Sequence, residues 1–206
     1  MTPVQAATGA RVMLQIRIHG RGGQGVVTAA ELLSIAAFAQ GRHAQAFPSF
    51  GSERTGAPVV AFCRIADREI RLREPILAPD VLIVQDPTLL HQVDVFQGLQ
   101  PEGYVLINSQ RDFHALGLAD IAQRNAHWCS VPATEIAVRH LGRPLPNAVM
   151  LGGFAALSSL ITLAAVAHAI RHKFSAKVAE ANVAAATEAF EFVRQQTQAT
   201  AYAQTD

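Results

Sequence analysis

The 206-residue chain carries almost no net charge, few cysteines and no leader-like start, and each of these absences narrows what it can do. Seventeen Lys and Arg stand against sixteen Asp and Glu, a formal charge of +1. No bulk field therefore recruits nucleic acid or an anionic membrane. The two cysteines, Cys63 and Cys129, lie far apart and no Cys-x-x-Cys occurs, which excludes a self-contained iron–sulfur or zinc-ribbon site. Any cluster must then belong to another chain. Met1 to Ala10 has neither a basic stretch nor an apolar core of the kind a secretory leader needs, so a cytoplasmic location is expected.

Charge is also missing from one long stretch. No Asp, Glu, Lys or Arg occurs between Ala148 and Ile170, a length that approaches a bilayer crossing. Ala, Gly, Ser and Thr dominate it, however, and few of the residues that drive insertion are present. The composition predicts a buried, closely packed helix, because small residues let two backbones approach. Its small-residue face is expected to meet other chains, as is an aromatic loop near Phe50.

Half of the residues are apolar, enough to bury one substantial core. The expected organisation is a flexible arm at 1–13, one α/β domain at 14–196 and a tail at 197–206. Leu14 to His19 reads as a buried strand, and Gln24 to Gln40 as a helix closed by Gly41. Ala44 to Phe50 and Ala57 to Ile65 read as an extended, hairpin-like excursion, and Arg68 to Leu72 alternates like an edge strand. Val81 to Val84 is a second buried strand; Asp86-Pro87 then opens a helix to about Gln97. Tyr104 to Ile107 and His127 to Val131 are further strands, the latter leading through Pro132 into a helix over Ala133 to His140. The C-terminal third reads as two helices, about Ala148 to His172 and Ser175 to Gln196, the second capped by Ser175. Alternation of this kind predicts a Rossmann-like, mainly parallel sheet with helices on both faces.

Two stretches stand out chemically. Gly20-Arg21-Gly22-Gly23-Gln24-Gly25 has the Gly-x-Gly-x-x-Gly spacing of a dinucleotide turn, between a strand and a helix. The helix start behind it favours an anion. About twenty residues on, where a ribose-binding acid belongs, the chain offers Ala44-Gln45-Ala46-Phe47. There is no Gly-Lys-Ser/Thr of a triphosphate loop either. From these residues alone, a nucleotide turn and a tight packing turn both stay open, and with the former an autonomous Rossmann-type dehydrogenase. The second stretch, Gln45 to Val59, places Glu53 beside Arg54 between Gly51 and Gly56. It reads either as a polar hairpin or as a rigid loop presenting Ser49 and Arg54.

Taken together, His19-Gly-Arg-Gly-Gly-Gln-Gly25 and Phe47-Pro-Ser-Phe-Gly-Ser-Glu-Arg-Thr-Gly-Ala-Pro58 resemble the gamma subunit of 2-oxoacid:ferredoxin oxidoreductases, the pyruvate synthase family. Asp80-Val81-Leu82-Ile83, Asp86-Pro87 and Asn147-x-x-Met150-Leu151-Gly152 extend the resemblance from Leu14 to the late 180s. The family often has Pro or Lys where this chain has Ser52, and Arg where it has Thr55. The resemblance implies a complex with alpha, beta and delta-type subunits. It oxidatively decarboxylates a 2-oxoacid with coenzyme A to an acyl-CoA and carbon dioxide. Thiamine diphosphate, magnesium and 4Fe–4S clusters sit in the partner chains, and electrons leave to ferredoxin or, through a flavoprotein, to NAD. No cofactor is expected on this chain alone, and neither nucleic acid nor membrane is an expected partner.

For single residues the resemblance implies that Gly20, Gly22, Gly23 and Gly25 let the backbone approach a ligand or neighbouring subunit, with Arg21 and Gln24 available to contact it. Ser49, Phe50, Glu53, Arg54 and Gly56 form the facing loop, and Arg21 with Arg54 would meet coenzyme A phosphates. No catalytic residue and no metal ligand is expected. His19 reads as a structural hydrogen bonder, His168 and His172 as an uncommitted pair one helical turn apart, and both cysteines as buried hydrophobes.

Overall fold

A computed structural model describes residues 13–49, 55–122 and 127–203. Strand β1 (Met13–Arg21) runs through the middle of the sheet, followed by helix α1 (Val26–Ala39). Next come β2 (His43–Pro48), β3 (Pro58–Ala66) and β4 (Val81–Val84), then a 3-10 turn at Pro87–His91. β5 (Tyr104–Asn108), a short α2 (Ala119–Ala122) and β6 (Trp128–Val131) complete the sheet. Helices α3 (Ala133–Leu141), α4 (Asn147–Ser158), α5 (Leu163–Lys173) and α6 (Ala176–Ala203) follow without further strands.

The strand order is β2-β3-β1-β4-β5-β6. β1, β4, β5 and β6 pair in parallel, and β3 runs antiparallel to both β1 and β2. The α/β, mainly parallel class therefore holds, with the excursion after α1 forming the β2–β3 edge. Alternation along the strands separates two cores. Ile16, Ile18, Ile83, Leu106 and Val131 face a layer built from α1 and α3 to α6. Leu82, Val84, Val105, Ile107 and Trp128 face the other side. Both faces carry helix, but unequally: among the described residues the second has only the 3-10 turn, α2 and irregular chain. There Phe96 stacks on Trp128 with ring centroids 5.2 Å apart, and Phe113 meets the same indole edge-on.

Three expectations fail for physical reasons. Arg68 to Leu72 is not a strand: β3, which leads into it, already has β1 and β2 on its two sides, and the segment pairs with neither outer edge of the sheet. That segment instead turns back over the sheet, tied down where the Arg64 guanidinium, only 1% exposed, donates to the Glu74 carbonyl at 2.5 Å. The helix expected after Pro87 stops after one 3-10 turn. Buried Arg17 captures the carbonyls of Val95 and Gln97, at 2.9 and 2.6 Å, which a helix would have kept for its own ladder. Finally, Ala148 to His172 is two helices. Ser159 takes the left-handed conformation at φ 55°, Ser158 Oγ accepts the Leu160 N–H, and Thr162 caps α5 by accepting the Ala165 N–H at 3.1 Å. No helix among the described residues is long and apolar enough to cross a membrane.

The small residues of α4 serve the chain's own packing, not a surface. A Cβ on Gly152 would lie 1.9 Å from the Ala186 carbonyl oxygen of α6, and one on Gly153 would touch Leu106 and Val193 at 3.3 Å. α4 is accordingly buried along nearly its whole length between sheet and α6. Gly152→Ala should cost about 1–3 kcal/mol by overpacking, which for a chain of this size is a fall in melting temperature of roughly 3–10 °C. Thermal unfolding followed by circular dichroism checks this; an unchanged midpoint would show that the two backbones do not meet there.

Candidate functional site at the carboxyl end of the sheet

In an open α/β sheet the natural site lies beyond the carboxyl ends of the strands, where the order of connection reverses. Here that place is the gap between β1 and β4. β1 feeds α1 and the β2–β3 edge on one side, and the chain then returns to β4 on the other. The Gly20–Gly25 turn closes β1, and Gln85-Asp86 closes β4, with the Gln85 N–H donating to the His19 carbonyl at 2.7 Å.

The glycines are there for space and for conformation. A Cβ at Gly20 would press on Val26 Cγ2 at 2.6 Å and on Gln85 at 3.2 Å. Gly25 caps α1 at φ 73°, and a Cβ there would lie 2.4 Å from Asn147 Nδ2 at the start of α4. Gly22 lies on the returning loop: its N–H donates to the Ala57 carbonyl (2.9 Å) and its carbonyl accepts the Gly56 N–H (3.0 Å). Gly25, the N-cap of α1, has no side chain to give the first-turn amides the bond that a Ser, Thr, Asp or Asn cap would supply.

Arg21 and Gln24 point into the chain's own structure. Gln24 accepts the Arg21 N–H at 2.8 Å and donates to Asp86 Oδ2 at 2.8 Å. Arg21 donates to the Gly56 carbonyl, to Thr88 Oγ1 and to Gln92 Oε1, at 2.9, 2.7 and 2.8 Å. Its Nε lies 3.2 Å from Asp86 Oδ2. Burial opposes the charge on Asp86, yet hydrogen bonds from Thr88 and Gln24 and the charge of Arg21 outweigh it and hold its pKa below the usual carboxylate range. A depressed carboxylate pKa gives stability that is complete above the ordinary value near ~4 and is lost as the pH falls through the folded one.

Of the facing loop, Ser49 is exposed with its N–H bonded to the Val60 carbonyl at 2.8 Å, and Gly56 turns at φ 83°. Phe50, Glu53 and Arg54 lie outside the described residues. Motif reading does not single out Thr88 and Gln92, and Asp86 and Asn147 enter it only as part of the family resemblance, without a role at the candidate site. Asp86-Pro87 is a helix-start signature, but nothing local to it points at Arg21.

Histidines and thiols take no part in this arrangement. Burial, then the nearby Arg17 charge, lowers the His19 pKa to about 4. It is 7% exposed, and its Nε2 has no hydrogen-bond partner among the described residues, unlike the bonded structural role expected of it. His168 and His172 stack along α5 with centroids 6.4 Å apart, and no group of three metal-ligating side chains occurs among the described residues. Cys63 and Cys129 are buried, and burial pushes both thiols up to about 12, leaving no thiolate at neutral pH.

The nucleotide reading fails on this geometry. The amide of Gly22, which a pyrophosphate would need, is taken by Ala57. β2 is separated from β1 by β3, so an acid ending β2 would stand about 10 Å to the side. Comparison with known proteins agrees: residues 15–192 match the family described as pyruvate ferredoxin/flavodoxin oxidoreductase. The chain belongs to that family. It is 45% identical over 179 residues to the pyruvate/ketoisovalerate oxidoreductases common subunit gamma of Pyrococcus abyssi, covering 87% of this chain and 96% of that one. The pyruvate oxidoreductase subunit PORC of Thermotoga maritima has the same fold, with a TM-score of 0.73 and 34% identity over 88% of this chain and 97% of that one. Within the family the chain is of the gamma type, a subunit of a 2-oxoacid oxidoreductase complex. The fold recurs inside a longer polypeptide, the 2-oxoglutarate:ferredoxin oxidoreductase of Magnetococcus marinus, solved with 2-oxoglutarate, coenzyme A and succinyl-CoA bound. There the TM-score is 0.68 at 18% identity, over 92% of this chain and 32% of that one.

Gly25→Ala forces a side chain onto a positive φ and against Asn147, so it should destabilise the chain by about 1–3 kcal/mol. Asn147→Ala in the same chain should restore part of that loss, since it removes the steric half of the cost. Urea unfolding of the two single variants and the double variant measures the coupling; strict additivity would mean the two residues do not touch.

Proposed function

We propose that this gamma-type chain forms one wall of a coenzyme A site in a thiamine diphosphate-dependent complex, and that its α/β unit at 14–196 docks against alpha, beta and delta-type chains. The complex converts a 2-oxoacid and coenzyme A to an acyl-CoA and carbon dioxide, with two electrons passing through clusters in the partners to ferredoxin or, through a flavoprotein, to NAD. The single observation that carries the coenzyme A assignment is the uncapped start of α1 beside the loop that ends at Gly56. A helix start of 14 residues with no side-chain cap suits a phosphate. Arg54, in the same loop, would supply the charge. Thiamine diphosphate, magnesium and 4Fe–4S clusters belong to the partners in this reading, and the buried thiols of Cys63 and Cys129 are unsuited to ligate iron.

The choice of 2-oxoacid lies outside this chain. The Pyrococcus relative is by its name common to pyruvate and ketoisovalerate oxidoreductases, which suits a gamma chain indifferent to the acyl group. The surface it would share with both is the one for the common second substrate.

The test is kinetic, on the complex pulled down from its native cells with this chain tagged. Co-purified larger chains and a broad iron–sulfur absorbance establish the assembly. Arg54→Ala then removes one charge-assisted bond, of about 1.5–3 kcal/mol. That corresponds to a roughly ten- to hundredfold rise in the Michaelis constant for coenzyme A at unchanged 2-oxoacid decarboxylation. Unaltered coenzyme A kinetics would remove this loop from the site.

A further inference from the structure

Arg21 stands in the glycine turn where a phosphate-binding arginine would be expected, yet all three of its nitrogens are engaged within the chain. Nη1 holds the Gly56 carbonyl, Nη2 is shared between Thr88 Oγ1 and Gln92 Oε1, and Nε lies between Thr88 and Asp86. The centre of this arrangement is Asp86, 9% exposed at the end of β4. Its Oδ1 accepts from the Thr88 N–H at 3.0 Å and from the Thr88 hydroxyl at 2.5 Å. Its Oδ2 accepts from Gln24 Nε2 at 2.8 Å and faces Arg21 Nε at 3.2 Å. Four donors fill the acceptor capacity of one carboxylate.

We propose that Asp86 is a positioning residue for the coenzyme A site: through Arg21, Gln24 and Thr88 it fixes the glycine turn and the Gly56 end of the facing loop relative to each other. Arg21 is then a clamp and not a phosphate ligand. The proposal rests on the coenzyme A reading above and adds to it a residue that touches no substrate. The geometry makes the coupling explicit. Gln24 links Asp86 to the Arg21 main chain, and Arg21 links Asp86 to the Gly56 carbonyl. The Gly56 N–H returns to the Gly22 carbonyl, and the Gly22 N–H reaches Ala57. Three segments distant in the chain close into one ring of hydrogen bonds, with an ionised carboxylate that takes four of the donors.

The chemistry of substitution follows. An amide at position 86 must set a donor NH2 against donors on one edge, either Thr88 or the Gln24 and Arg21 pair, so one half of the clamp opens. Lys at 21 keeps the charge but has one nitrogen and cannot span Gly56, Thr88 and Gln92 together. Ser at 88 keeps the hydroxyl; Val at 88 deletes it at nearly the same volume.

The experiment uses the assembled complex for kinetics and the full chain for amide exchange. Asp86→Asn and Thr88→Val should raise the Michaelis constant for coenzyme A about ten- to hundredfold, the cost of misplacing a binding loop. kcat and the Michaelis constant for the 2-oxoacid should stay within about twofold, and Thr88→Ser should restore the coenzyme A value. In the full chain the Gly22 and Gly56 amides should exchange faster in Asp86→Asn and Thr88→Val but not in Thr88→Ser. Unchanged exchange at both glycines would overturn the clamp itself. If exchange rises and Arg54→Ala raises the coenzyme A constant while Asp86→Asn and Thr88→Val do not, the positioning role falls and the coenzyme A reading stands. If none of the three moves that constant, the coenzyme A reading falls and the positioning role with it.

Discussion

One carboxylate ties together the carboxyl end of the sheet, where the candidate site lies. Asp86 closes the central parallel strand β4 and receives bonds from Gln24 of the glycine turn and from Thr88 of the following 3-10 turn, while facing the guanidinium of Arg21. The main chain already joins the β1–α1 turn to the end of the loop after β2, through the Gly22 N–H to the Ala57 carbonyl and the Gly56 N–H to the Gly22 carbonyl. Arg21 adds side-chain bonds across the same seam and extends it to the 3-10 turn after β4, because a planar guanidinium can serve several acceptors in fixed directions where an ammonium cannot. The partly buried setting matters as well, since an ion pair in full solvent would hold such geometry only weakly.

Below that end the fold is held by close packing of small residues. α4 threads between the sheet and α6, and Gly152 lets the two helix backbones touch. The break at Ser159 then turns the chain so that α5 reaches α1, with Thr162 N–H bonded to Gln40 Oε1 at 3.1 Å across that seam. A straight helix through 148–172 would have carried its second half away from α1. The helical layer thus positions the start of α4, and with it Asn147 beside Gly25. The packing interior and the candidate site are in this way one continuous structure.

The second sheet face shows a different solution. It carries polar side chains on β1 and β3, namely Arg17, His19 and Arg64, all buried. The guanidiniums of Arg17 and Arg64 replace helix-on-sheet contacts by bonds to main-chain carbonyls of irregular segments. Each of the two guanidiniums bonds through its Nη2 to a main-chain carbonyl, and these bonds decide the path of chain that periodicity would have assigned to a strand and a helix. Arg64 also lies over the Phe47 ring, 5.2 Å from its centroid, so even the edge strand is drawn into this layer.

What the sequence determined by itself is whatever depends on neighbours along the chain. The apolar runs of β1, β4 and β5, the glycine turn between β1 and α1, the spacing of α3 and the buried character of the Ala-rich segment all follow from local period and local sterics. So did the family, because two unusual motifs occur in order. Tertiary structure alone decided the rest: which strand neighbours which, that β3 separates β1 from β2, and that Arg21 binds Asp86 and Gly56. The Arg21 contacts join residues 35 to 71 positions apart. Their strength depends on which polar groups are buried together, and no periodicity in a linear chain encodes that.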